Sequence, residues 1–231
     1  MPPRNLPFPP MEAETVEELP TGDWQYEPKW DGFRGVLENL GGGLRLWSRN
    51  GRPLLRYFPE LEEVGAKLPP ESALDGEIIV ARKGRLEFDQ LQMRLHPAAS
   101  RIRRLSAEIP AEYVAFDLLV WKGEPVHEQP LEKRRRELER KAKAFRLSPA
   151  VRDPKQAAKW LERLEQAGLD GVIAKRLEKV GDLTAGMWRR KVSLLPRFEQ
   201  LGLPPGDTSI AEPKPRSSSR RWTGDGRARS R

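Results

Sequence analysis

The sequence contains no cysteine among its 231 residues. That removes disulfides, thiolate metal sites and cysteine nucleophiles together, and it fits a reducing, cytoplasmic setting. Only two histidines are present, His96 and His127. Zinc-protease pairs and a compact multi-histidine centre are therefore excluded. Any metal must be held by oxygen, which points to magnesium or manganese. No run approaches the ~18 apolar residues of a transmembrane helix, so no membrane association is expected. The stretch from Met1 to Pro10 holds five prolines and no apolar core, so it does not read as a secretory signal.

What is present suits a globular protein. Apolar residues make up 37% and charged residues 33% of the chain, and the length fits one generous domain or two small ones. The net charge is +8, and half of that excess lies in the last 31 residues. This tail is rich in Pro, Ser, Gly and Arg and poor in apolar side chains, so it is expected to be disordered. It reads either as a solubilising tail or as an arm that neutralises nucleic-acid phosphates.

The body reads as short strands broken by turns, then helices. Gly32–Leu37 and Leu44–Ser48 flank Leu40-Gly41-Gly42-Gly43. The triple glycine lacks the Lys-Ser/Thr of a phosphate-binding loop, so a hairpin is expected there. Asn50-Gly51 and Lys83-Gly84 mark turns. Strands are expected at Ala73–Ala81, Tyr113–Trp121 and Leu169–Lys175. Helices are expected at Pro59–Leu68, Phe88–Leu95, Pro130–Phe145 (with Leu131, Leu138 and Ala142 inward) and Pro154–Ala167, the last stopped by Gly168. Met187–Leu195 is expected to be the final ordered piece. Strands and helices in blocks indicate an α+β protein with mainly antiparallel sheet.

The chemistry concentrates in Glu27-Pro28-Lys29-Trp30-Asp31-Gly32-Phe33-Arg34. Taken alone, such a string reads as a turn with a surface ion pair. However, Asp75-Gly76-Glu77 and Asp170-Gly171 place further carboxylates at the edges of apolar strands, where burial is costly without compensating cations or hydrogen bonds. Lys175 closes one of these strands, and Arg189 and Lys191 stand two apart, on one face of a strand. Several cations, a few acids and a nucleophile candidate suit a triphosphate with a divalent metal.

In order, KWDGFR, SRNG (Ser48–Gly51), LDGEI (Leu74–Ile78), YVAFDLL (Tyr113–Leu119) and GVIAK (Gly171–Lys175) resemble the collinear motifs of ATP-dependent DNA ligases. These are covalent nucleotidyltransferases, a superfamily shared with RNA ligases and capping enzymes. EPKWDGFR, SRNG and RLHPAAS look most like the small bacterial repair ligases, and the resemblance covers roughly residues 8 to 195. It implies the nucleotidyltransferase (ATP-grasp-like) fold over residues 1–195, followed by a basic tail at 196–231. ATP would be the substrate, Mg2+ or Mn2+ the cofactor, and nicked DNA the partner. The implied nucleophile is Lys29, which forms lysyl-AMP, supported by Asp31. Glu27 would read the adenine amino group, Arg34 and Arg49 would hold sugar and phosphate, and Glu77 would contact ribose or metal. Phe116 would stack on adenine, although on an apolar strand it also reads as core. Asp170 would bind metal, Lys175 would hold the α-phosphate, and Arg189 and Lys191 would orient the triphosphate.

Lysine attack on phosphorus needs the neutral amine, only about one in a few thousand for a free lysine at pH 7. Nearby cations and metal favour that form, and carboxylates oppose it. Three departures from the family pattern stand out. Asp170 replaces the usual Glu, Arg189-Arg190-Lys191 replaces Lys-x-Lys, and only 40 residues follow Lys191. An apolar alternation for an OB-fold is absent there, so a lone catalytic domain is expected, with repair partners supplying any DNA clamp. The competing readings are an RNA ligase or capping guanylyltransferase, which nucleotide competition during labelling would separate, and a degenerate nucleic-acid-binding module.

Overall fold

The computed structural model describes residues 14–16, 18–167, 169, 171–178 and 192–193. Contacts divide the chain into two units, Met1–Pro196 and Arg197–Arg231, and every described residue lies in the first. Its strands are β1 (Glu14–Thr15), β2 (Trp24–Lys29), β3 (Phe33–Asn39), β4 (Leu44–Ser48), β5 (Ser72–Ile79), β6 (Ala81–Arg82), β7 (Arg85–Leu86), β8 (Glu112–Trp121), β9 (Glu124–Pro125), β10 (Arg146–Leu147), β11 (Gly171–Arg176) and β12 (Val192–Ser193). The helices are α1 (Leu61–Gly65), α2 (Phe88–Gln92), α3 (Ala99–Glu108), α4 (Leu131–Lys141) and α5 (Pro154–Ala167).

Two sheets carry the architecture. One has the order β1-β12-β11-β2. The other runs β10-β8-β5-β3-β4, with β9 added on β8. Pairing is antiparallel except at β1–β12 and β10–β8. The expected α+β class with mainly antiparallel sheet is therefore what forms. No helix among the described residues is long and apolar enough to cross a membrane.

The large sheet grows from the expected hairpin. Leu40 N–H donates to the Gly43 carbonyl (3.1 Å), and Gly41 adopts φ +85°, a conformation glycine takes without steric cost. At the far end of β4, Ser48 Oγ accepts the Arg52 N–H (2.9 Å), while Gly51 turns the chain at φ +72°. The SRNG string is thus a hydrogen-bonded turn that also presents Arg49. The main core lies against this sheet and includes Leu37, Leu46, Phe58, Leu74, Ile78 and Leu118.

The small sheet is covered by α5. Asp153 starts this helix, its carboxylate accepting the Lys155 N–H (2.9 Å), and Pro154 occupies the first turn, where its missing N–H is harmless. On β2, Trp24 and Tyr26 join Ala157, Val172 and Ala174 in a second apolar cluster. Because strand side chains alternate, Gln25 and Glu27 point the other way, yet they too are buried.

Several boundaries depart from the sequence expectation. The strand expected over Ala73–Ala81 stops at Ile79, and Ala81–Arg82 pairs with Arg85–Leu86 as a separate hairpin. Positive φ at Lys83 and Gly84 matches the tight two-residue turn that joins such strands. Helix α4 ends at Lys141 and α2 at Gln92, both short of expectation. Leu131, Leu138 and Ala142 are buried as expected, but Arg134 and Arg135 are buried beside them. Helix α3 has no counterpart in the sequence reading. The stop at Gly168 and most of Met187–Leu195 lie outside the described residues.

Gly76 marks the tightest packing in the large sheet. A Cβ there would sit 2.6 Å from Tyr113 Cζ and 2.6 Å from the Val114 carbonyl oxygen. The backbone contact cannot be relieved by a rotamer change. Gly76→Ala should therefore destabilise by about 1–3 kcal/mol, read as a lowered urea midpoint at unchanged slope. Wild-type stability of that variant would show that the strands yield at this point.

Candidate active site

The site forms where the two sheets meet. β2 ends at Lys29, and Trp30, Asp31 and Gly32 carry the chain across to β3. A Cβ at Gly32 would collide with the Ile78 carbonyl oxygen and lie 2.8 Å from Glu77 Cγ. Only a residue without a side chain lets this crossing nest against β5. Glycine is thus required in the string by close approach, not by an unusual backbone angle.

A short strap ties the crossing to the second sheet. The Trp30 indole N–H donates to Ser148 Oγ (3.0 Å), and the Arg146 guanidinium stands 5.6 Å from the Trp30 ring centroid. Ser148 N–H donates to the Ala115 carbonyl on β8 (2.8 Å), and three residues later Val151 exchanges both backbone hydrogen bonds with Tyr26 on β2 (2.8 and 3.0 Å). Residues 146–151 therefore join the strand that ends in Lys29 to the strand that carries Phe116.

Register then assembles the predicted residues. β2 and β11 pair so that Lys29 faces Gly171, Glu27 faces Ile173 and Gln25 faces Lys175. Lys175 Nζ donates to Glu27 Oε1 (2.8 Å) and lies 4.5 Å from the Phe116 ring centroid. The Arg34 guanidinium stands 5.6 Å from the same ring, and Arg34 faces Glu77 across the β3–β5 ladder. Five of the predicted residues, Glu27, Arg34, Glu77, Phe116 and Lys175, are thus joined by contact or register. Phe116 is only half-buried, so it is not a core residue. Arg49 is exposed, one residue past the Gly35–Ser48 register pair. Asp170, Arg189 and Lys191 lie outside the described residues.

The electrostatics rest on paired charges. Arg34 grips Asp75 with two hydrogen bonds, Nε to Oδ1 at 3.0 Å and Nη2 to Oδ2. Burial pulls the guanidinium pKa down, but Asp75, with Glu77 and Asp117 farther off, outweighs it and raises the value. Arg134 on α4 is 2% exposed and holds Asp117 through two 2.8 Å bonds. A third, 2.8 Å bond goes to the Gln129 carbonyl. Here too burial opposes the charge, and Asp117, then Asp75 and Glu27, raise the pKa. Glu27 Oε1 also accepts the Gln25 amide (2.8 Å).

Gln25, Asp117 and Arg134 were missed as site residues. The signal for Gln25 was a polar residue two before Glu27 on a strand, hence on the same face. For Arg134 it was a basic residue on the inward stripe Leu131, Arg134, Arg135, Leu138. Among the described residues no group of three or more His, Asp or Glu gathers as a metal cage. Magnesium, however, commonly takes only one or two carboxylates and completes its shell with substrate phosphates and water. Half-buried Glu77 fits that style of site.

Residues 9–184 match the family model described as the ATP dependent DNA ligase domain. The chain belongs to this family. Within it, the chain is 44% identical over 177 residues to DNA ligase C2 of Mycolicibacterium smegmatis, covering 74% of this chain and 50% of that protein. It is 43% identical over 178 residues to DNA ligase C of Mycobacterium tuberculosis, covering 73% and 49%. Among solved structures it resembles the ligase domain of M. tuberculosis LigD at 28% identity and TM-score 0.62, covering 80% of this chain and 57% of that one. A mycobacterial DNA ligase D complexed with ATP and MES gives 28% identity and TM-score 0.61 over 80% and 60%. The fold is that of the ligase nucleotidyltransferase domain. The chain spans about half the length of the curated relatives it matches.

The buried pair makes a direct test. Arg134→Met leaves the Asp117 carboxylate inside without its guanidinium, a loss of about 3–5 kcal/mol. Replacing both, Asp117→Leu with Arg134→Met, should cost clearly less. Urea unfolding of the single and double variants measures the difference, and a double variant as unstable as the sum of the singles would rule the pairing out as the source.

Proposed function

We propose that the chain is the adenylation module of an ATP-dependent DNA ligase acting in strand-break repair, with Lys29 as its nucleophile. Lys29 Nζ attacks the α-phosphorus of ATP, a P–N bond forms, pyrophosphate leaves and the amine proton is released. The lysyl-AMP then passes AMP to the 5′-phosphate of nicked DNA, and attack by the 3′-hydroxyl expels AMP and closes the strand. The observation that carries this reading is Lys175. Its ammonium touches both Glu27 and Phe116, so the acid and the ring assigned to adenine border one space, next to the strand that ends in the nucleophile.

The roles follow from chemistry. Phe116 stacks on the base and Glu27 accepts from its amino group. Arg34, with Arg49 at its edge, positions sugar and phosphate. Lys175, Arg189 and Lys191 neutralise charge that develops on the phosphates during in-line displacement. Asp31 supports the crossing that carries Lys29. Glu77, joined by Asp170, would hold magnesium or manganese, whose contribution there is to neutralise triphosphate charge. Relatives named as multifunctional non-homologous end joining proteins, such as that of Pseudomonas aeruginosa at 35% identity over 173 residues, support the repair setting.

Purified protein incubated with α-labelled ATP and magnesium should become covalently labelled. Lys29→Ala should reduce labelling to background, and so should Lys29→Arg, since a guanidinium stays protonated and is a poor nucleophile. Label retained by Lys29→Ala would refute the assignment.

Glu77→Gln and Asp170→Asn should each slow labelling and raise the magnesium needed for half-maximal rate, whereas Asp170→Glu should be tolerated. Normal labelling by both neutral variants across a magnesium titration would make these acids structural.

A further inference from the structure

We propose that Gln25 is a positioning residue for base selection: its amide fixes the Glu27 carboxylate in the orientation that distinguishes adenine from other purines. The proposal rests on the reading of Glu27 given above.

Gln25 and Glu27 stand two apart on β2 and share a face, while Trp24 and Tyr26 fill the apolar cluster on the other. Both are nearly inaccessible, at 3% and 2% exposure. A buried amide is expensive unless it is hydrogen-bonded, and this one donates to Glu27 Oε1 at 2.8 Å. Lys175, the cross-strand partner of Gln25, donates to the same oxygen at 2.8 Å. Among the described residues both donors thus converge on Oε1. That oxygen is the anchor, and the proposal assigns the ligand to the other, Oε2.

A carboxylate oxygen attracts the 6-amino donor of adenine and repels the 6-oxo acceptor of guanine. Sites that hydrogen-bond a substrate donor discriminate strongly against analogues that lack it. The discrimination needs a carboxylate that cannot rotate to spread its charge over several directions. The two anchors differ in kind. Lys175 has a long, flexible stem, and the proposed reaction needs its ammonium at the α-phosphate. Gln25 is neutral, short and tethered on the same strand as Glu27. When Lys175 turns to phosphate, Gln25 is what keeps Oε1 in place.

The experiment compares kcat/KM for covalent nucleotidyl-enzyme formation with α-labelled ATP, GTP and purine riboside triphosphate, which carries hydrogen at position 6. Gln25→Leu removes the donor at similar volume. Gln25→Met does so with an unbranched side chain, and it serves if the leucine variant fails to fold by circular dichroism. Loss of a buried hydrogen bond to a charged group predicts a fall of roughly tenfold or more with ATP. The loss on the purine analogue should be markedly smaller, so that preference for ATP narrows, and GTP should gain ground relative to ATP. Equal loss on ATP and on the analogue overturns the proposal, because a merely structural amide would affect both alike. A wild-type protein that uses the analogue as well as ATP overturns the reading of Glu27 and the proposal with it. A wild type that labels with none of the three refutes the adenylation reading itself.

Discussion

Three carboxylates, Glu27, Asp75 and Asp117, are buried where the two sheets meet, and each is gripped by a basic side chain from another element. A buried carboxylate left alone is costly enough to reject the fold. The arrangement of strands is therefore tied to the delivery of Lys175 from β11, Arg34 from β3 and Arg134 from α4. Each pair also carries a consequence for chemistry. Two of the three basic groups flank the Phe116 ring, while the third, Arg134, pairs with Asp117, the residue that follows Phe116 in sequence. The charges buried within each sheet and the charges that would receive a nucleotide form one network, joined across the sheets where Lys175 meets the Phe116 ring.

The network explains which residues are fixed and which have latitude. Arg134 makes three hydrogen bonds from inside the protein, so it has no freedom to follow a ligand. Lys175 makes one ion pair and one ring contact and sits at the end of a flexible stem. A rigid inner layer bearing a movable outer cation is a reasonable way to combine preorganisation with a substrate that must enter and leave.

Much of this was legible in the sequence, for reasons that differ by residue. The KWDGFR, LDGEI and GVIAK strings announced strands with charges at their ends. Register places Arg34 opposite Glu77 in one sheet and Glu27 near Lys175 in the other, and the Phe116 ring, touched by both Arg34 and Lys175, brings the two pairs together. The hairpin at the triple glycine followed from local turn chemistry alone. Arg134 and Gln25 were hidden because their partners are defined by packing. Arg134 reads as one more charge on a charged helix until β8 is laid beside it. Helix α3 was missed because only two of its ten residues, Ile102 and Leu105, are buried, too few to mark a periodic apolar face. The strap at 146–151 escaped notice because a two-residue strand leaves no periodicity to detect.

The RLHPAAS string holds a different lesson. Its first residue, Arg94, is wholly enclosed. It binds both oxygens of Glu60 (2.6 and 2.9 Å) and the carbonyls of Tyr57 and Ile109 (2.8 and 2.7 Å). Glu60 in turn accepts the Ala111 N–H at the entry to β8 (2.8 Å). The arginine is an internal staple linking the segment before α1, the segment after α2 and the approach to the Phe116 strand. A lineage marker of this kind records a folding solution, not a reaction. Chains that share it share a scaffold, and whether they share a substrate has to be argued from the cleft.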